Sequence, residues 1–179
     1  YHQLMSENGK RGYLYLRGRG LSDETIKNFG LGYANQYPDD LYRFLRQKGF
    51  SDAQLKDSGL VKIDERGCYD KFWNRVMFPI MDINNKVIGF GGRVMGEGEP
   101  KYLNSPETPI FEKNRNLYGM HVAKRNRKPY FLICEGYMDV ISLQQAGFTN
   151  AVASLGTAFT VQHGLLLKRY TKEVVLTFD

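Results

Sequence analysis

The strongest constraint on the fold lies in residues 129–179, where short apolar runs alternate with helical stretches. In chain order the pattern predicts strand 130–134, helix 138–146, strand 151–154, helix 161–170 and strand 173–178. Strands that alternate with helices in this way form a parallel sheet with right-handed crossover connections. Functional groups in such sheets gather beyond the carboxyl ends of the strands. The segment therefore predicts a Rossmann-like parallel sheet with any site at that edge.

The first third of the chain is predicted to form a series of short helices. Ser22 is a typical helix N-cap, and two acidic residues follow it in the first turn. Apolar residues within 41–45 stand at helical spacing and predict a second helix. Ser51 and Gln54 form a capping box for a third. These helices are expected to be scaffold.

Sheet structure is predicted to begin after Phe72. Residues 75–83 and 86–94 are β-rich runs joined by Asn84 and Asn85, a pairing typical of a hairpin. Residues 96–108 are dense in Gly, Pro, Asn, Ser and charge, which predicts a long surface loop. Residues 1–128 are therefore predicted to form an α+β amino-terminal subdomain, followed by an α/β subdomain over 129–179.

Composition bears on disulfide and zinc sites, on membrane association and on the charge of a binding partner. Cys68 and Cys134 lie far apart, so no disulfide framework or CxxC zinc site is indicated. Apolar runs stay well short of the ~20 residues that cross a bilayer, and no membrane association is expected. The formal charge of +6 suggests a polyanionic partner, although many solvated surfaces carry a similar excess.

Three carboxylates are predicted to meet at the functional edge of the parallel sheet. Glu135 follows the first strand, Asp139 lies one helical turn later, and Asp179 follows the last strand. Hard divalent cations such as Mg²⁺ take oxygen ligands and leave room for phosphates, which suits phosphoryl transfer. The alternative from spacing alone is that Glu135 and Asp139 only cap a helix, where negative charge is favoured.

Most of the net positive charge is concentrated in residues 86–128. This stretch holds nine basic and four acidic side chains, with Phe90, Tyr102, Phe111 and Tyr118 interleaved. Basic residues that follow a phosphate backbone, with aromatic rings on which bases stack, are typical of single-strand binding grooves. A solvated surface without a ligand is the alternative at this point.

Several longer motifs match a known family. Residues 135–140 (EGYMDV) resemble the signature of the TOPRIM domain as it occurs in bacterial primases. Residues 75–80 (RVMFPI), 87–93 (VIGFGGR) and 100–108 (PKYLNSPET) resemble the core motifs of DnaG-type primases. The resemblance implies an α+β amino-terminal subdomain followed by a truncated α/β TOPRIM subdomain.

The resemblance also implies roles for particular residues. Glu135 would act in proton transfer, and Glu135, Asp139 and Asp179 would hold Mg²⁺ or Mn²⁺ in the complete enzyme. The groove that receives the DNA template would be lined by Arg19, Arg93, Lys101, Tyr102, Asn104 and Lys113.

The activity implied is synthesis of short RNA primers on a single-stranded DNA template from ribonucleoside triphosphates, in the bacterial cytoplasm. Both ends of the chain look like cuts within a longer protein. The family's zinc-binding domain and the domain that binds the replicative helicase have no counterpart here. The chain also stops before the second Asp of the family's DxD metal motif and lacks the family's further acidic pair, so the chain alone is expected to bind DNA with little or no synthesis. The alternatives are a TOPRIM nuclease or topoisomerase, and a single-stranded DNA-binding module without catalysis.

Overall fold

A computed structural model describes residues 1–178. The chain begins with a 3₁₀ turn at Glu7–Gly9, followed by helices α1 (Lys10–Gly18) and α2 (Asp23–Asn28). Ser22 caps α2 as predicted, since its side chain accepts a hydrogen bond from the Thr25 amide at 3.1 Å. The prediction that sheet structure begins only after Phe72 is wrong, because strand β1 (Gly32–Ala34) already follows α2.

The next segment combines two helices with a small hairpin. Helices α3 (Asp40–Gln47) and α4 (Asp52–Asp57) precede strands β2 (Val61–Asp64) and β3 (Gly67–Asp70), which pair with each other in an antiparallel manner. The predicted capping box of α4 is confirmed: Gln54 N–H donates to the Ser51 hydroxyl, and Ser51 N–H donates to the Gln54 side chain.

The central sheet contains the predicted hairpin. Strands β4 (Arg75–Met81) and β5 (Val87–Val94) pair antiparallel across the turn, where Asn85 takes a left-handed φ of 64°. Strand β6 (Tyr102–Asn104) pairs with β5, so the prediction of an unbroken loop over 96–108 is wrong there. A three-residue edge strand is too short to show alternation and exists only because β5 offers it hydrogen bonds. The sheet order is β1-β4-β5-β6.

The last segment has the predicted β-α-β-α-β order. After a 3₁₀ turn at Lys113–Arg115 and helix α5 (Met120–Ala123), the remaining elements follow in the order β7 (Tyr130–Cys134), α6 (Tyr137–Gln145), β8 (Ala151–Ala153), α7 (Val161–Leu167) and β9 (Glu173–Leu176). The three strands are parallel with order β8-β7-β9. The prediction of a parallel sheet is confirmed, and the element ends match the predicted ones or differ by at most three residues.

Tyr137, at the start of α6, joins the two sheets. Its ring stacks on Phe78 of β4 at 5.2 Å between centroids and meets Tyr118 edge-on at 4.6 Å. Gly91 of β5 lies directly beneath, since a Cβ there would come within 2.5 Å of the Tyr137 ring. The larger apolar core therefore contains residues from both parts, and the boundary at 128/129 stays a prediction. Within residues 1–178 no helix has the length and apolarity to span a bilayer.

Candidate functional site

Two of the predicted carboxylates lie at one edge of the parallel sheet. Glu135 directly follows β7 and is exposed to solvent. Asp139 lies in the first turn of α6, where its Oδ2 accepts the Gly136 N–H at 3.0 Å. Asp139 thus caps the helix, as one reading of the sequence proposed, and its carboxylate is still exposed. We call Glu135 and Asp139 the acidic edge.

The third predicted carboxylate, Asp179, lies outside the described residues. Thr177 donates from its amide and its hydroxyl to the Ile133 carbonyl at 2.9 and 3.0 Å, so β9 ends beside the carboxyl end of β7. Within residues 1–178 no group of three His, Cys, Asp or Glu side chains could hold a metal ion. Exposed carboxylates are nevertheless the donors that Mg²⁺ uses, with one or two of them often sufficient. The metal-binding roles stay a prediction.

A second candidate surface lies on the central sheet. Arg93 and Tyr102 are directly paired across β5 and β6, so their side chains share a face of the sheet. The Arg93 guanidinium lies over the Tyr15 ring of α1, 4.3 Å from its centroid, and donates to the Val94 carbonyl at 3.0 Å. Tyr102 keeps 40% of its surface exposed. The Arg93 cation, held over the Tyr15 ring and next to the Tyr102 ring, is suited to single-stranded nucleic acid, because a cation contacts phosphates and an aromatic ring stacks on a base.

The environment of the Tyr102 hydroxyl group includes Tyr15 and two arginines. Burial raises the pKa of Tyr102, Tyr15 raises it further, and the positive charges of Arg93 and Arg19 oppose the increase. Arg19 is exposed at the carboxyl end of α1. The structure therefore brings together three of the predicted DNA-binding residues with Tyr15. We call Arg19, Arg93, Tyr102 and Tyr15 the basic face.

Lys101 and Lys113 occupy different positions. Lys101 is exposed and next to Tyr102, with its carbonyl accepting from the Val94 amide at 3.0 Å. Lys113 is half-buried, and its carbonyl contacts Nε2 of the buried His163 at 2.8 Å. Its positive charge helps to lower the pKa of Lys71, after the larger effect of burial. Lys101 is therefore close to the basic face, and Lys113 belongs to a separate group of cations.

Asn104 is committed to contacts within the protein. Its side-chain oxygen accepts the Tyr137 hydroxyl, and its amide nitrogen donates to the Leu155 carbonyl at 2.9 Å. Gly156, with φ at +72°, lies so close that a Cβ would be 2.6 Å from the Asn104 amide nitrogen. Asn104 thus ties β6 to the loop after β8. Its predicted contact with DNA stays a prediction.

Two further features were not predicted from the sequence. Tyr15 had no recognisable signal, because its partner Arg93 lies far along the chain. Arg75 is 6% exposed and donates to the Gly92 and Pro100 carbonyls at 3.2 and 2.9 Å, on the opposite face of the sheet from Arg93. Burial lowers its pKa. Lys71 and Arg75 are four residues apart in the sequence, and in the structure Lys113 is close to Lys71. The short spacing between Lys71 and Arg75 was the only sequence feature that could have indicated this group of cations.

Comparison with known families identifies both parts. A family model described as Toprim-like matches residues 132–179. The parallel sheet and its acidic edge therefore fall in the class of Toprim-like domains. A second model, described as the DNA primase catalytic core, N-terminal domain, matches residues 1–124. Because this match covers most of the chain, the chain belongs to the DNA primase catalytic core family.

Individual relatives agree with this assignment. The DNA primase of Clostridium acetobutylicum is 48% identical over 166 residues, which are 92% of this chain and 28% of that protein. The RNA polymerase domain of Mycobacterium tuberculosis primase DnaG, in complex with a double-stranded DNA oligomer with a 6-nucleotide overhang, has a TM-score of 0.93 and 33% identity, covering 99% of this chain and 59% of that chain. A DnaG primase catalytic domain bound to ssDNA has a TM-score of 0.89 and 43% identity, with coverage of 98% and 56%.

Proposed function

We propose that this chain is the template-binding part of a DNA primase and carries the start of its catalytic site. The complete enzyme would copy single-stranded DNA into short RNA primers. The observation that carries the proposal is that the basic face and the acidic edge occupy adjoining elements. Tyr102 of the basic face lies 6.5 Å from Tyr137, ring centroid to ring centroid, and Tyr137 is two residues from Glu135.

The basic face would bind the template without reading its sequence. Arg19, Arg93 and the neighbouring Lys101 would contact phosphates, which fixes register and orientation. Tyr102, with a large exposed area, would stack against a base. Arg93 would retain its contact with Tyr15, so that less side-chain freedom is lost when a phosphate binds.

The acidic edge would support nucleotide addition. In this reaction the 3′-hydroxyl of the primer attacks the α-phosphate of a ribonucleoside triphosphate, and pyrophosphate leaves. Glu135 would accept the proton of this hydroxyl group. Its carboxylate is exposed and forms no hydrogen bond within residues 1–178, so it is available for proton transfer. Glu135, Asp139 and Asp179 would hold Mg²⁺ or Mn²⁺, which supplies positive charge to the triphosphate when bound.

The test is binding of fluorescein-labelled oligothymidylate by fluorescence anisotropy across a range of salt concentrations. Each phosphate contact on a single strand contributes about −0.7 to the slope of log K against log salt. Arg93→Ala should therefore weaken binding and make the slope shallower by roughly 0.7.

Lys56→Ala is the matched control, because Lys56 is an exposed cation on α4, a helix that contributes no residue to the basic face. It should leave both affinity and slope unchanged. Equal losses in the two variants would mean that binding depends on net charge alone and would contradict the assignment of the basic face. Circular dichroism would establish that both variants are folded.

A further inference from the structure

A further cationic site lies apart from the acidic edge and the basic face. The turn between β4 and β5, the α5 helix and the residue Thr149 before β8 enclose a cleft of about 520 Å³. We call it the hairpin cleft. Among the residues that line it are Asn84, Asn85, His121, Lys124, Arg125 and Thr149.

The topology separates the hairpin cleft from the acidic edge and the basic face. Thr149 precedes β8, whereas Glu135 follows the parallel strand β7. Thr149 therefore lies at the amino ends of the strands and Glu135 at their carboxyl ends. Asn84 and Asn85 form the turn at one end of β5, and Arg93 lies near its other end. A ligand in the hairpin cleft would therefore not occupy either of the surfaces assigned to the template or to nucleotide addition.

The wall of the hairpin cleft carries positive charge without an ionic partner. Lys124 donates to the Ile83 carbonyl, and neither Lys124 nor Arg125 forms a salt bridge within residues 1–178. The residues that line the cleft in the described chain include no Asp or Glu. Asp82, whose charge acts on His121, accepts the Asn84 and Lys86 amides on its Oδ1 at 2.8 and 2.9 Å.

The His121 imidazole lines the same cleft beside these cations. Burial lowers its pKa, Lys124 and Arg125 lower it further, and Asp82 opposes them. Its Nδ1 is covered and forms no hydrogen bond within residues 1–178. Two cations and several side-chain amides around one cleft present many N–H donors, the combination that binds phosphate oxygens.

We propose that the hairpin cleft is an anion-binding site that takes a phosphate group. The group could belong to a nucleic-acid backbone or to a free nucleotide, since both present the same oxygens. The volume falls within the range of roughly 300–1,000 Å³ that small-molecule sites occupy. The residues of the hairpin cleft take no part in the proposed template binding, so either proposal can be wrong while the other holds.

The test uses the 179-residue chain and inorganic tripolyphosphate as probe. The ring resonances of His121, assigned by their loss in His121→Phe, should shift as tripolyphosphate is added. Arg125→Gln should weaken this binding about tenfold or more, because a charged hydrogen bond to phosphate is lost. Lys168→Gln, which removes an exposed cation after α7, is the matched control and should leave it unchanged.

Competition then identifies the source of the phosphate. If oligothymidylate displaces tripolyphosphate, as seen from the His121 resonances, the phosphate group belongs to a nucleic-acid backbone. If ATP displaces it, the phosphate group belongs to a nucleotide. Either result supports the proposal. Unshifted His121 signals, no competition from either compound, or equal weakening in Arg125→Gln and Lys168→Gln would overturn it.

Discussion

Gly91→Ala should destabilise the protein through the junction between the two sheets. A Cβ at this position would lie 2.5 Å from Cζ and 2.6 Å from the hydroxyl of Tyr137. The ring cannot easily retreat, because it stacks on Phe78, meets Tyr118 edge-on and donates to Asn104. Overpacking of this kind costs about 2–3 kcal/mol. Alanine recovers about 0.5–1 kcal/mol by lowering the entropy of the unfolded chain, which leaves a net loss of about 2 kcal/mol.

The loss should appear as a lower urea midpoint and a melting temperature reduced by about 4–8 °C for a chain of this size. Gly18→Ala is the matched control, since nothing lies within 4 Å of a Cβ there and Gly18 ends α1. That variant should be as stable as the wild type or more stable by about 0.5–1 kcal/mol. A Gly91→Ala protein with an unchanged urea midpoint would refute the close contact between Gly91 and Tyr137.

Three further outcomes follow from the structure. Asp70→Ala should cost about 2 kcal/mol in urea unfolding, because its buried carboxylate accepts two N–H groups of α3 at 2.7 and 2.8 Å. Tyr102→Ala should weaken oligothymidylate binding by about 1–3 kcal/mol with the salt slope unchanged, since a stacking ring is lost and no cation. Burial raises the pKa of the Cys134 thiol, so a thiol reagent should modify Cys68 in the folded protein and Cys134 only in urea.

Features encoded over a few neighbouring residues could be predicted from the sequence. The alternation of apolar runs and helical stretches predicted the parallel sheet because the order of these segments along the chain is itself typical of strands joined by crossover helices. The Asn84–Asn85 turn and the Ser51–Gln54 capping box were predicted because the chemistry of each is local. Glu135 and Asp139 followed from strand order, since the carboxyl ends of parallel strands share an edge.

Features that depend on distant partners could not be predicted in this way. Strands β1 and β6 have three residues each and exist through pairing with β4 and β5. Tyr15 joins the basic face only because α1 packs beside Arg93. Asn104 was predicted to contact DNA from a motif, and its hydrogen bonds to Tyr137 and Leu155 depend on how the two sheets meet.

The most direct test of the central claim is RNA synthesis by a chimera. In it, this chain would replace the matching segment of the Clostridium acetobutylicum primase, to which it is 48% identical. The chimera should make short labelled RNA on a single-stranded DNA template, and the same chimera carrying Glu135→Gln should make none. A folded chimera that binds DNA and makes no RNA, or undiminished synthesis with Glu135→Gln, would contradict the proposed role of this chain in a primase.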